Sequence, residues 1–483
     1  MLKNGCILQV LPLLFLSQKL FQKFLSIFNP MKLTTLLAAF SLFFIQLINA
    51  QNIVGSWKGD IDVQGMKLPF ILNIKKDGNS YSSTVDSPKQ GAKDIPVDKT
   101  DFTDGELSFE QQALGVSYKG KFSNGKIEGT FRQGNFSVPL TFVPNTENFV
   151  INRPQTPKPP FNYDTEDISF QNPKDKNTLA GTIAQPKNFD KNQPVVILIT
   201  GSGSQNRDEE IFEHKPFAVI ADYFAKQGIA TLRIDDRGIG GSSQGSGNDT
   251  TYNFSTDINS AVDYLMSKGY KNIGLLGHSE GGMIAPMVAA GNKNVKFTVL
   301  MAAPGTSIDQ LLVQQNYLAG KSMGQSEAQL EANKKINSGI YGFIKNYSGN
   351  LYEKDLHEFL IKNFKDQMNE EAIGNMEQQI SKSWFTYFVK FNPDEYLSKL
   401  KIPVLALNGS LDFQVPAKEN LEAIQQSLTK AGNKNFRTEE IPGLNHLFQE
   451  AKTGAFSEYA DIEQTISPKA LAEMADWIAK LKK

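Results

Sequence analysis

From about residue 166 onward, short apolar runs rich in β-branched residues alternate with segments of helical periodicity. Repeated β–α units of this kind fold into a mostly parallel sheet covered by helices. Residues 195–200 (Val-Val-Ile-Leu-Ile-Thr) form one continuous apolar run, the pattern of a strand buried on both faces. Further strands are expected at 230–234, 273–276, 297–301, 404–407 and 436–441, and helices at 218–226, 257–268, 283–290 and 419–430. Ser467 and Pro468 open a last helix with a cap and a proline at its first position, and Leu471, Met474, Ala475, Ile478 and Leu481 form its apolar stripe. Between about 306 and 398 the alternation stops. Ile336, Ile340, Phe343 and Ile344 share helical spacing, as do Leu356, Phe359, Leu360 and Phe364. This insert reads as a helical cap laid over the sheet.

The preceding region has a different period. Residues 51–145 consist of short alternating runs separated by Asp77-Gly78, Asn124-Gly125 and Gly134-Asn135, which are hairpin signals. A small antiparallel barrel or curled sandwich of about eight strands is expected. Trp57, in Gly55-Ser56-Trp57, resembles the Gly-x-Trp of lipocalin-like barrels and reads as a plug at one end of the core. Ligand binding by this domain stays open. Residues 146–165 hold Pro154, Pro157, Pro159 and Pro160 among polar residues and read as a stiff linker.

The first 50 residues read as targeting sequence. From Met31 a short cationic start (Lys32) leads into an uncharged apolar stretch at 33–48 and then to Ala50, the pattern of a secretory signal cleaved before Gln51. Residues 1–30 then read as an extension ahead of a start at Met31, and an uncleaved anchor is the alternative reading of 31–50. The expected location is periplasmic or secreted, with no stable membrane span after cleavage. The apolar stretch is shorter than a span of about 20 residues.

Composition excludes several classes of function. Lys+Arg is 50 and Asp+Glu is 51, for a net charge of -1, which gives no electrostatic reason to expect nucleic acid or an anionic membrane as partner. A 40% hydrophobic content excludes a disordered chain. The single cysteine is Cys6, which leaves no disulfide framework, Cys-based zinc site or Cys nucleophile in the body. No P-loop, dinucleotide fingerprint or His-Glu-x-x-His pattern is present, so neither a cofactor nor a metal is expected.

Chemistry is expected at Gly277-His278-Ser279-Glu280-Gly281, a Gly-x-Ser-x-Gly that follows a buried strand and opens a helix. The sharp turn raises the serine hydroxyl, and N–H groups at the helix start can stabilise an oxyanion. Ser279 is the candidate nucleophile. It needs a base, and the four histidines are His214, His278, His357 and His446. His446 lies in a loop directly after the last strand, at the edge where ligands bind in open α/β sheets, and is the candidate base. His278 should diverge from the Ser279 hydroxyl and act as support. His357 reads as solvated, and His214 as surface or supporting. Asp412, after the strand at 404–407, is the candidate acid that orients His446. Asp235 and Asp236 are rivals, but Arg237 beside them suggests a structural ion pair. The second oxyanion donor is expected from Ser202 or Gly203 in Gly201-Ser202-Gly203-Ser204, beside the N–H of Glu280. The Glu280 side chain reads as a salt-bridge partner of Arg207 or Arg237. Trp384, Phe385, Tyr387 and Phe388 are candidates for an acyl pocket, though not all four can share one face.

These segments together resemble the α/β-hydrolase superfamily. The carrying residues are 198–204, 235–242, Gly277 to Gly282, 408–412 and 443–446. Asn206-Arg207-Asp208-Glu209 and the 384–388 stretch are similar to the secreted two-domain carboxylesterases grouped with serine aminopeptidase-like hydrolases. The resemblance implies hydrolysis of a small-molecule ester through an acyl-enzyme. The usual His-Gly of the oxyanion loop is Thr200-Gly201 here, which removes one side chain but no backbone donor. Two other readings stay open: a peptidase acting on N-terminal residues, with Glu280 as anchor for an ammonium, and an envelope binding protein whose β domain is the working part. Oligomeric state is not legible.

Overall fold

The computed structural model describes residues 52–63, 66–78, 80–88, 92–134, 136–146, 152–350 and 352–481. The expected targeting segment, residues 1–50, lies outside them. The chain divides into two compact units: the first takes in the described residues up to Asp86 and those from Asp94 to 146, the second the short piece 87–93 and the described residues from 152 onward.

The first unit is an antiparallel meander of nine strands: β1 (Gly55–Val63), β2 (Met66–Asp77), β3 (Ser80–Ser87), β4 (Ala92–Pro96), β5 (Lys99–Thr103), β6 (Glu106–Gln111), β7 (Val116–Ser123), β8 (Lys126–Gln133) and β9 (Phe136–Pro144). The order β4-β3-β2-β1-β9-β8-β7-β6-β5 joins the first and last strands, so the sheet curls until its ends are the neighbours β4 and β5. Val97, between β4 and β5, donates its N–H to Ser83 O of β3, and the Ser83 hydroxyl lies 2.7 Å from that of Thr100 in β5. The interior is filled with aromatic rings. Phe109 and Tyr118 stack at 5.4 Å, and Phe142 meets Tyr118 edge-on at 5.0 Å. The Tyr118 hydroxyl, donor to the carbonyls of Ile127 and Leu140, fills the space that a side chain at Gly120 or Gly129 would need. Trp57 is buried, donates from Nε1 to Ile53 O at 2.7 Å and meets Phe122 edge-on, as a plug would.

The second unit is built on an eight-stranded sheet: β10 (Asp164–Gln171), β11 (Thr178–Gln185), β12 (Pro194–Ile199), β13 (Ala230–Ile234), β14 (Asn272–His278), β15 (Val295–Met301), β16 (Val404–Gly409) and β17 (Phe436–Ile441), in the order β10-β11-β13-β12-β14-β15-β16-β17. From β13 onward the neighbours are parallel. The sequence pattern misses β10 and β11. In β10 the buried residues are only Ile168 and Phe170 among charged neighbours, because one face of this antiparallel edge is solvated. β12 is buried throughout, with Val195, Ile197 and Ile199 in one core and Val196 and Leu198 in the other. Each such side chain contributes about 1.5–3 kcal/mol. The helices α1 (Pro216–Lys226), α2 (Thr251–Ser267) and α3 (Gly281–Gly291) alternate with the central strands. The cap follows as α4 (Ile308–Ser322), α5 (Glu327–Asn346), α6 (Tyr352–Phe364), α7 (Glu370–Ile380), α8 (Ser383–Lys390) and α9 (Asp394–Leu397); α10 (Ala417–Lys430), α11 (Phe456–Tyr459) and α12 (Pro468–Lys480) complete the unit. α2, α3 and α10 cover one face, α1 and α12 the other.

The proline-rich stretch is not a free spacer. The Arg153 guanidinium donates to the carbonyls of Phe212, Ala460 and Ile462, and Gln155 Nε2 donates to Ile466 O. Five fixed donors on one planar head meet carbonyls of two loops here and hold the stretch against the second unit.

Candidate active site

The site collects at the C-terminal ends of β12, β14, β16 and β17. Ser279 follows β14 directly and takes φ 51°, a left-handed conformation costly for a side-chain-bearing residue. Glycines make the turn possible. A Cβ at Gly277 would lie 2.0 Å from Gly281 O, and one at Gly281 would lie 2.2 Å from Ile199 O. Ser279 N–H donates to Met301 O, and α3 begins two residues later.

His446 and Asp412 come together. His446 Nδ1–H donates to Asp412 Oδ2 at 2.8 Å, with both side chains buried. The other carboxylate oxygen, Oδ1, accepts from the N–H groups of Gln414 and Val415 at 2.9 Å each. This turn fixes the carboxylate, and the carboxylate fixes the ring so that Nε2 is the nitrogen left for chemistry. Ser279 and His446 line one cavity of about 370 Å³, together with Ser202, Trp384, Phe385 and Phe388.

Two expected members stand elsewhere. Gly203 does not line this cavity; it faces a smaller one beside Asp235 and Asp236, so of the two expected loop donors Ser202 is the one that lines the cavity with Ser279. Tyr387 packs with Phe391 and Tyr396 at the base of the cap, where burial pushes its phenol up. On a helix, positions 384, 385 and 388 fall within one arc and 387 lies outside it.

The Glu280 side chain pairs with neither arginine. Its Oε1 accepts from Thr251 Oγ1 at 2.6 Å and from Trp384 Nε1 at 3.0 Å, tying α2 and cap helix α8 to the Ser279 turn. Burial raises its carboxyl above the ordinary range, and the hydrogen bonds from Thr251, Trp384 and Ser202 work the other way. Arg207 binds Asp235 and Asp167, while Arg237 binds Asp175, Asp249 and Asp257. Asp235 thus has an ion pair, but with Arg207 and not its neighbour Arg237. Asp236 has none; its carboxylate accepts from Thr200 Oγ1 and Gln205 N–H, bracing the loop that carries Ser202. Burial pushes Asp236 up to about 7.

The remaining histidines separate by environment. His357 is exposed and reaches Glu377 at 3.0 Å. His214 is buried, not at the surface, with Nδ1 at 2.9 Å from Thr465 Oγ1 and Nε2 at 3.1 Å from Tyr459 O. Burial lowers it to about 4, with Arg153 adding in the same direction. His278 is buried between Glu209 Oε1 and His446 O, 3.0 Å from each. Glu209 is the residue that sequence reasoning missed. Its Oε1 also accepts from Gly201 N–H at 2.7 Å, and no local spacing signals that contact.

Among the described residues no cluster of His, Cys, Asp or Glu could hold a metal, and no helix is long and apolar enough to cross a membrane.

The family model for serine aminopeptidase, S33, matches residues 213–451. Esterase EstD of Thermotoga maritima is 24% identical over 323 residues, 66% of this chain and 69% of that protein. Among solved structures, the Pyrococcus furiosus esterase Pf2001 gives a TM-score of 0.41 at 14% identity, over 66% of this chain and 91% of that one. The α/β hydrolase GrgF from Penicillium sp. sh18 gives 0.42 at 16%, over 66% and 98%.

Proposed function

We propose that this chain, whose second unit is an α/β hydrolase, is a serine esterase that cleaves carboxylic esters of small molecules through an acyl-enzyme. The observation that carries the reading is the convergence of Ser279 and the Asp412-bound His446 on one largely apolar cavity. The likeness to esterase EstD agrees with it.

Ser279 Oγ attacks the ester carbonyl while His446 Nε2 takes its proton. Asp412 stabilises the imidazolium and holds the tautomer. The negative charge on the former carbonyl oxygen is met by the N–H groups of Ser202 and Glu280, the latter at the start of α3. Collapse breaks the ester C–O bond, and His446 returns the proton to the leaving alkoxide. Water, deprotonated by the same histidine, releases the acid. Trp384, Phe385 and Phe388 form the wall for the acyl chain.

A peptidase would need a carboxylate free to bind an ammonium. Glu280 is taken by Thr251 and Trp384, and Glu209 by Gly201 and His278. The test is a graded series of p-nitrophenyl esters beside aminoacyl p-nitroanilides, with wild type and Ser279→Ala. Ester cleavage lost in the variant supports the reading. Anilide cleavage of comparable efficiency would replace it with the peptidase, and a folded protein inactive on both would redirect attention to the β domain.

A further inference from the structure

A chain of contacts behind the reacting groups links the oxyanion loop to the base. Gly201 N–H donates to Glu209 Oε1 at 2.7 Å. The same oxygen lies 3.0 Å from His278 Nδ1, and His278 Nε2 lies 3.0 Å from His446 O. The His278 and His446 rings are 4.8 Å apart, and Glu209, His278 and His446 are all buried. The loop backbone passes close to both residues: a Cβ at Gly201 would lie 3.3 Å from Ser279 Cβ and 3.4 Å from Glu209 Oε1.

Donor counting constrains the protons. The His446 carbonyl can only accept, so His278 Nε2 carries a hydrogen. An ionised Glu209 can only accept, so Nδ1 carries one too. His278 is then an imidazolium paired with a carboxylate, and both of its hydrogen bonds gain from its charge. Charged or titratable groups facing this imidazole are Glu209 from the loop after β12, Asp412 from the loop after β16, and the His446 ring. Burial opposes charge on His278, but the Glu209 carboxylate overcomes it and raises the imidazole above its ordinary value, with Asp412 adding a little.

We propose that Glu209 and His278 are a positioning pair, which holds the Ser202 segment and His446 at a fixed separation across Ser279. The proposal rests on the esterase reading for its kinetic consequence, not for its protonation state. Neither residue touches substrate in this scheme. The pair acts through Gly201, the neighbour of Ser202, and through the backbone carbonyl of His446. Errors of about 1 Å in such groups cost about 100-fold in rate.

The experiment uses the whole chain as wild type, Glu209→Gln, His278→Gln, the double variant and Ser279→Ala. In ¹⁵N-histidine spectra at pH 7, His278, assigned by the signals lost in His278→Gln, is expected to carry protons on both ring nitrogens, in wild type and in Ser279→Ala alike. Glu209→Gln is expected to remove one of them. On the best p-nitrophenyl ester, each single variant is expected to lower kcat about 10- to 100-fold with KM within about twofold. The double variant should be no slower than the slower single one, because the two act as a unit. An unprotonated ring nitrogen on His278 in the wild type, an unchanged kcat, or additive losses would each overturn the pair. If the wild type cleaves no ester, the esterase reading fails by itself; the spectra and the rate at which a fluorophosphonate labels Ser279 then decide the proposal.

Discussion

The indole Nε1 of Trp384 donates to Glu280 Oε1 at 3.0 Å, so the cavity wall contributed by the cap is fastened to the residue that follows Ser279. On the proposed esterase reading, substrate fit and catalytic geometry share this joint. Trp384→Phe keeps an aromatic ring, though a smaller one, and removes the donor, while Glu280 still accepts from Thr251. A stability loss of about 1 kcal/mol in urea unfolding is expected. KM should rise for long acyl esters while kcat for an acetyl ester stays near wild type. An unchanged chain-length profile would show that the joint does not shape the pocket.

Asp412→Asn is expected to lower kcat about 10³- to 10⁴-fold with little change in KM. The amide can present a donor to His446 Nδ1 and stabilise the wrong tautomer. Steady-state kinetics on a p-nitrophenyl ester, beside a thermal melt to verify folding, is the check. A loss no greater than tenfold would assign another acid.

His214 makes stability depend on acid. Its folded value of about 4 lies below the ordinary 6.5, so between those limits the unfolded chain binds a proton that the folded one refuses. Its contribution is complete above about 6.5 and is lost as pH falls toward 4. Unfolding free energies of wild type and His214→Gln, from urea titrations across this window, should draw together with falling pH, by at most about 1.4 kcal/mol per pH unit. Parallel curves would contradict the buried neutral imidazole.

Asp236 has the opposite sign. Its folded value of about 7 lies above the ordinary 3.8, so between about 4 and 7 the folded protein holds a proton that the unfolded chain has released. Stability from this group falls as pH rises through that window. Asn imitates the protonated acid, with Nδ2 toward Thr200 and Oδ1 toward Gln205. Asp236→Asn should therefore gain on wild type as pH rises from 4 to 7, measured as the difference in urea midpoint. No gain would place the titration elsewhere.

We also propose that residues 31–50 direct export and are removed. N-terminal sequencing of the protein made from its own gene should begin at Gln51. A start at Met1 or Met31 would show retention.

Periodicity sufficed where one local pattern carries one physical meaning. The run at 195–200 has the pattern of a strand covered on both faces, and β12 is buried throughout; Gly277-x-Ser279-x-Gly281 between a strand and a helix reads as a tight turn, and in the structure Cβ atoms at 277 and 281 would collide with backbone. Asp412 and His446 could be read because each follows a strand, and parallel strands end on one edge. β10 stayed hidden because a half-solvated edge strand buries too few residues to show a pattern. The partners of long polar side chains stayed hidden as well. Asp235 chose Arg207 over adjacent Arg237, Glu280 chose Thr251 and Trp384, and Glu209 found His278 across 69 positions. Such pairings depend on where separate loops meet after the sheet has formed. The alternation of apolar and polar residues specifies which elements form and which faces they bury; it does not encode which donor meets which acceptor at their ends. That choice belongs to packing in three dimensions, where a buried polar group takes whichever partner the assembled fold brings within reach.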